Sequence, residues 1–150
     1  DKILTSSVKV YGDQYNSLRK GFQPLVRYIG AKERDSEKIS MTAPVIQTTN
    51  DESENWTVSF AMPSKYNIDK LPKPANDEIY FEEIQPSLAA VIRFSGVADM
   101  SLLTQKASVL KRWLELNGYT ESSSTKFLFY NDPTTPGFLR RNEVMIIIDK

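Results

Sequence analysis

Between Tyr15 and Ile29 the sequence "YNSLRKGFQPLVRYI" returns to an apolar side chain every three or four residues, the spacing that gathers them on one face of a helix. On a 3.6-residue wheel Leu25, Leu18, Ile29, Phe22, Tyr15 and Val26 fill roughly 100° of arc, and Arg19 falls immediately beside Val26. Arg27 lies about 80° further round. An apolar wall with a guanidinium at its edge suits noncovalent chemistry. The wall contacts an apolar surface, and the planar fork of the arginine bonds both oxygens of a carboxylate. The competing reading is that the stripe packs a core and that both arginines are solvated.

The other residues with chemical reach are carboxylates. In "FLRRNEV" Arg140, Arg141 and Asn142 precede Glu143 at the start of the apolar run "VMIII". Either an arginine–carboxylate pair fixes the start of that strand, or Glu143 faces a cleft. Glu82 and Glu83 are neighbours in a strand-like segment, so they point to opposite faces and make a poor catalytic pair. The sequence has no cysteine and no histidine. Disulfides, thiolate metal sites, a Ser-His-Asp triad and His-ligated haem therefore cannot be built from this chain alone. Met41, Met62 and Met100 remain as soft ligands, but no spacing singles one out. No phosphate-type glycine loop is present. We expect no catalytic residues, no metal-ligand set and no enzymatic activity.

The elements that position these residues follow from pattern. Ile3 to Tyr11 alternates as a strand, Gly12 and Asp13 turn, and Asp13 is a suitable N-cap for a helix reaching Ile29, with Gly30 as a terminating glycine. "NDESEN" (50–55) reads as a hairpin turn before alternating Trp56, Val58 and Phe60. The segment 62–77, with three prolines, reads as a long irregular loop, and Ile79, Phe81 and Ile84 mark another strand. After Ala90, Ile92 and Phe94 a second helix runs from Asp99 to Asn117, with Leu103, Ala107, Leu110 and Leu114 on one stripe. Strands follow at Phe127–Tyr130 and Val144–Ile148. Strand, glycine, helix, glycine and strands thus occur twice. This is an α+β pattern with a mostly antiparallel sheet. In "KISMTAPVIQ" Pro44 interrupts a strand pattern, and a proline belongs at a sheet edge or a bulge.

At 150 residues and 17.1 kDa the chain is the size of one domain, read here as a single unit over 1–150. Nineteen basic residues balance nineteen acidic ones, so no global field favours nucleic acid or an anionic membrane. No apolar run reaches the ~20 residues of a membrane span. The expected protein is soluble and monomeric. It would be cytoplasmic, or periplasmic or organellar if an upstream targeting segment has been removed.

"YIG", "KISMTAPV", "WTVSFAMPSKY", "LPKPAND", "VIRFSG" and "LRRNEV" stand in an order and spacing that resemble the SOUL haem-binding family from Phe22 to Glu143. The resemblance implies a distorted antiparallel β-barrel built from two β-α-β-β repeats, with two helices packed on the sheet and a first family strand missing upstream of residue 1. That fold is related to bacterial effector-binding domains of the gyrase-inhibitory-protein type. It also implies a weakly bound haem or other tetrapyrrole, held at first-helix positions that here are Arg19, Phe22, Val26 and Arg27, with the arginines on the propionates. Methionine, tyrosine or lysine would be the only axial ligands, so porphyrin contact and propionate pairing would dominate. The alternatives are a small-molecule effector-binding or sensor module and a Glu143-dependent hydrolase.

Overall fold

Asp13 accepts the Asn16 N–H at 2.8 Å and Asp99 the Leu102 N–H at 2.9 Å, each satisfying a donor that the first helical turn leaves without an intrahelical partner. They start α1 (Gln14–Ile29) and α2 (Met100–Leu116), so both expected helices are present. α1 runs unbroken through Gly21 and Pro24. Gly30 ends it with φ −77°, a right-handed conformation, so the left-handed freedom of glycine expected there is not used.

The structure is a computed structural model that describes residues 2–30, 37–50, 54–131 and 134–149. The "NDESEN" turn, the 32–38 stretch and the "NDPTTPG" loop fall partly outside these. The strands are β1 (Ile3–Tyr11), β2 (Thr42–Thr49), β3 (Asn55–Ala61), β4 (Tyr80–Ile84), β5 (Ala89–Phe94), β6 (Thr120–Glu121), β7 (Lys126–Phe129) and β8 (Asn142–Asp149). They pair antiparallel in the order β4-β1-β3-β2-β7-β8-β5, with β6 added to β8. β4 and β5 are the two ends of this order, so the barrel is not closed by hydrogen bonds. β2 lies mid-sheet, and Pro44 follows a cis peptide bond at the register shift between Thr42 and Val45. The proline is therefore accommodated by a bulge in a central strand and not by an edge.

The order reads as two copies of one unit. β1-β3-β2 and β5-β8-β7 have the same connectivity around α1 and α2, and β2 meets β7 at the centre. Each unit turns from strand to helix at a glycine with positive φ, Gly12 (130°) and Gly96 (112°), where a side chain would be strained. Both glycines are clamped alike. Gly12 N–H donates to Glu54 O at 2.9 Å while its carbonyl accepts from Trp56 Nε1 at 2.9 Å. Gly96 N–H donates to Gly137 O at 2.8 Å while its carbonyl accepts from Asn142 Nδ2 at 2.9 Å.

Two apolar clusters fill the space between helices and sheet. Leu25, Tyr28 and Ile29 of α1 pack with Leu4, Val8, Val58 and Phe60. Leu103, Leu110 and Leu114 of α2 pack with Trp56, Phe94, Phe127, Val144 and Ile146. Val10 touches both. α1 approaches so closely that a Cβ on Gly21 would lie 2.5 Å from Val58 Cγ2 and 2.6 Å from Val58 Cβ. Gly21→Ala should therefore destabilise the fold by about 2 kcal/mol, because the overpacking cost outweighs the helix propensity that alanine gains. Urea unfolding midpoints would measure it, and a variant as stable as the parent would contradict the close approach.

Candidate functional site

The buried face of α1 is Gln14, Ser17, Gly21, Leu25, Tyr28 and Ile29. This is the expected stripe rotated toward polar residues. Gln47, fully buried on β2, explains the rotation. Its Nε2 donates to the Gln14 carbonyl at 2.9 Å and to Ser17 Oγ at 3.1 Å, and its Oε1 accepts from Gln14 Nε2 at 2.9 Å. Buried polar groups are tolerable when paired in this way. Tyr15 belongs instead to the outside, 65% exposed.

Between the buried face and solvent lies a shoulder. Leu18, Phe22 and Val26 are half-buried and pack on the first cluster. Phe22 is fixed by an edge contact with Phe60, ring centroids 5.3 Å apart. Arg19 is exposed, and its guanidinium stands 5.7 Å from the centre of the Tyr15 ring, a cation–π stack between residues four apart. The structure thus brings Arg19, Phe22 and Val26 together and adds Tyr15 as an exposed flat surface. Arg27 is exposed in the last turn, well round the helix from them.

The methionines divide. Met62 is buried in the first cluster, while Met41 and Met100 are exposed, Met100 on the first turn of α2 in the other half. No group of three or more Asp or Glu that could hold a metal ion occurs among the described residues. The "LPKP" loop borders α1: Leu71 is buried in the first cluster and the Pro72 carbonyl accepts from Tyr28 Oη at 2.6 Å.

The tetrapyrrole that the sequence resemblance implies would need an apolar platform and a cation at its rim, and the α1 shoulder carries residues of both kinds. The concave alternative does not suit it. A cavity of about 210 Å³ opens on the helix-free face of the sheet, between Thr5, Thr48, Thr57, Ser59, Glu82 and Lys126. It is polar, and smaller than the roughly 300–1,000 Å³ of pockets for drug-sized ligands. Pattern-reading missed this cavity because it joins β4 to β7, strands that are neither neighbours in sequence nor paired.

Glu143 is only 7% exposed. Arg141 donates to its Oε2 from Nε at 3.0 Å and from the terminal guanidinium at 2.6 Å, and Tyr130 Oη donates to its Oε1 at 2.9 Å. The Arg141 guanidinium also lies 4.2 Å from the Tyr130 ring centre. This is the arginine–carboxylate pair at the start of β8, and both oxygens are engaged. Burial, followed by the hydrogen bond to Glu143 and the charge of Glu143, pushes the Tyr130 hydroxyl up to about 12. Between its ordinary value of 10.0 and about 12 the folded protein keeps a proton that the unfolded chain has lost. The contribution is therefore whole below that range and is lost as pH rises through it. Tyr130→Phe should remove this slope, so the stability gap between parent and variant should narrow from pH 10 to 12. Denaturant midpoints across that range test it; parallel curves would refute the burial of this hydroxyl.

Comparison with known proteins follows the same outline. The chain is 29% identical over 147 residues to heme-binding protein 1 of Xenopus laevis, covering 94% of this chain and 76% of that protein. It is 26% identical over 155 residues to heme-binding protein 2 of Homo sapiens, covering 99% and 74%. Among solved structures it is similar to the C-terminal domain of EcmrR, with TM-score 0.76 and 15% identity over 99% of this chain and 92% of that one. It is also similar to a hydrolase from Listeria innocua, with TM-score 0.67 and 9% identity over 99% and 88%. At such identities the two structures establish the α+β fold alone. Residues 2–147 match the family described as SOUL heme-binding protein, and the chain belongs to that family.

Proposed function

We propose that this protein binds haem or a related tetrapyrrole on the shoulder of α1. The observation that carries the reading is the half-buried strip of Leu18, Phe22 and Val26 edged by Arg19. Family membership and the names of the two heme-binding relatives support the ligand class. Bound haem would supply a flat apolar macrocycle, two carboxylates and an iron. Phe22, anchored on Phe60, and Val26 would carry the macrocycle. Tyr15 would extend the platform, and Arg19 would pair with a propionate in the two-pronged geometry that suits a carboxylate. Arg27, on a different side of the helix, is the lesser partner. The chain offers the iron neither histidine nor cysteine, so the porphyrin itself supplies most of the recognition.

This is a binding protein and not an enzyme in our reading. Capture of a cation or base catalysis through Glu143 would require a free carboxylate, whereas Arg141 and Tyr130 occupy both oxygens. Ester and epoxide turnover that Glu143→Gln abolishes would establish the hydrolase reading instead. An effector module would show saturable small-molecule binding with no porphyrin binding.

Absorbance titration with haemin and with protoporphyrin IX is the direct test. Both should bind with similar, modest affinity. Arg19→Ala should weaken each about five-fold, the size of one solvent-exposed charge-assisted hydrogen bond, and Arg27→Ala less. A strong preference for haemin with a six-coordinate spectrum would mean that a protein side chain ligates the iron. Absence of saturable binding would overturn the proposal.

A further inference from the structure

The helix-free face of the sheet carries a second site. Side chains alternate along a strand, so Val58 meeting Gly21 of α1 obliges its neighbours Thr57 and Ser59 to point the other way. Ser59 lies opposite Ser7 on β1 and opposite Ile46 on β2, and Thr48 lies opposite Lys126 on β7. These residues share one surface. Glu82 joins it from β4, opposite Thr5. Strands four places apart are roughly 19 Å apart in a flat sheet, yet Glu82 and Lys126 line one cavity of about 210 Å³. The sheet therefore curls round it.

The lining is sorted by charge and depth. Glu82 is exposed at the mouth, whereas Lys126 is half-buried. Their charges attract across the space. Even so, Lys126 Nζ donates to the Thr48 hydroxyl at a long 3.5 Å, which among the described residues leaves most of the capacity of an ammonium with three donors unused. Burial lowers the ammonium pKa of Lys126, because the loss of water outweighs the attraction of Glu82. Between the two charges stand the hydroxyls of Thr57 and Ser59, and Ile46 and Ile84 supply apolar contact.

We propose that this cavity binds a small zwitterion of the amino-acid class, its carboxylate reaching inward to Lys126 and its ammonium held at the mouth by Glu82. One molecule carrying both charges engages both ends, which neither a simple anion nor a simple cation does. Glu82, though it accepts from the Tyr80 hydroxyl, keeps acceptor capacity for an ammonium. Ser59, already bonded to the Ser7 hydroxyl at 2.7 Å, and Thr57, which donates to Asn50 Oδ1 at 3.3 Å, keep lone pairs to accept from its ammonium. The cavity is too small for a tetrapyrrole. The site lies on the face opposite α1 and does not rest on the haem reading.

The test uses glycine, β-alanine, γ-aminobutyrate and L-serine as probes, a set that varies the spacing between the charges. Ligand-detected NMR on the full chain at millimolar probe should show saturable binding of at least one. The N-acetyl and methyl-ester forms of that probe should bind at least tenfold more weakly. Glu82→Gln and Lys126→Met should each weaken it at least tenfold while leaving haemin titration unchanged. Lys126→Met should also raise the unfolding midpoint, since it removes a half-buried charge, so loss of binding is separable from loss of fold. No saturable binding of any probe, equal binding of the blocked forms, or binding indifferent to Lys126→Met would overturn the proposal.

Discussion

The missing side chain at Gly21 is the constraint on which the first half of the molecule depends. Without a Cβ there, α1 settles directly on Val58, and that contact fixes the rotation of the helix about its axis. The Gln14–Ser17–Gln47 bonds hold the same rotation from the N-terminal end. Once the buried face is set, Leu18, Phe22 and Val26 must lie on the shoulder and Arg19 at its edge. The same contact acts through the sheet, because with Val58 turned inward, Thr57 and Ser59 turn outward to line the cavity. One close approach thus orients the surfaces on both faces.

The duplication shows that the α1 shoulder has no counterpart at the matching positions of α2. Both units use a positive-φ glycine clamped at its N–H and its carbonyl, followed by a capping aspartate. Counted from Asp13 and Asp99, the places of Tyr15, Arg19, Phe22 and Val26 are held in α2 by Ser101, Gln105, Ser108 and Arg112. Ala107 stands where α1 has Gly21, and Leu103 where it has Ser17. The inward positions have stayed interchangeable between small and apolar, as packing requires. At the places where α1 carries the half-buried Leu18, Phe22 and Val26, α2 carries Thr104, Ser108 and Arg112. That asymmetry is what a ligand surface on one copy would leave.

α1 was legible in the sequence because two independent local signals agreed, apolar spacing and a capping aspartate, and α2 was legible from its apolar spacing and the glycines on either side. The longer strands were legible from alternation and the repeat from their order, while the two-residue β6 is too short to carry a pattern. Tyr15 was misplaced because its aromatic character outweighed its position: Gln14 and Ser17 take the buried face only because Gln47, some thirty residues away, satisfies them. No local pattern carries that information. Pro44 was read as an edge or bulge residue, and only the pairing of β2 with both β3 and β7 decides between the two. Glu82 and Lys126 were invisible as a pair, since their proximity arises from the curl of a sheet whose ends do not join.

The two surfaces differ in what they can hold and for how long. A plate lying on a helix shoulder is covered on one side, whereas enclosed sites bury 70–90% or more of a drug-sized ligand. Exposure of the second side forgoes a comparable share of the apolar burial that drives binding. Arg19 restores little of this, because it stands in water and is already stacked on Tyr15. With neither histidine nor cysteine to bond the iron, affinity would come from contact area and one exposed charge pair. A complex held in that way would release its ligand readily. Ready release would suit transient binding better than the permanent retention that a resident redox cofactor requires.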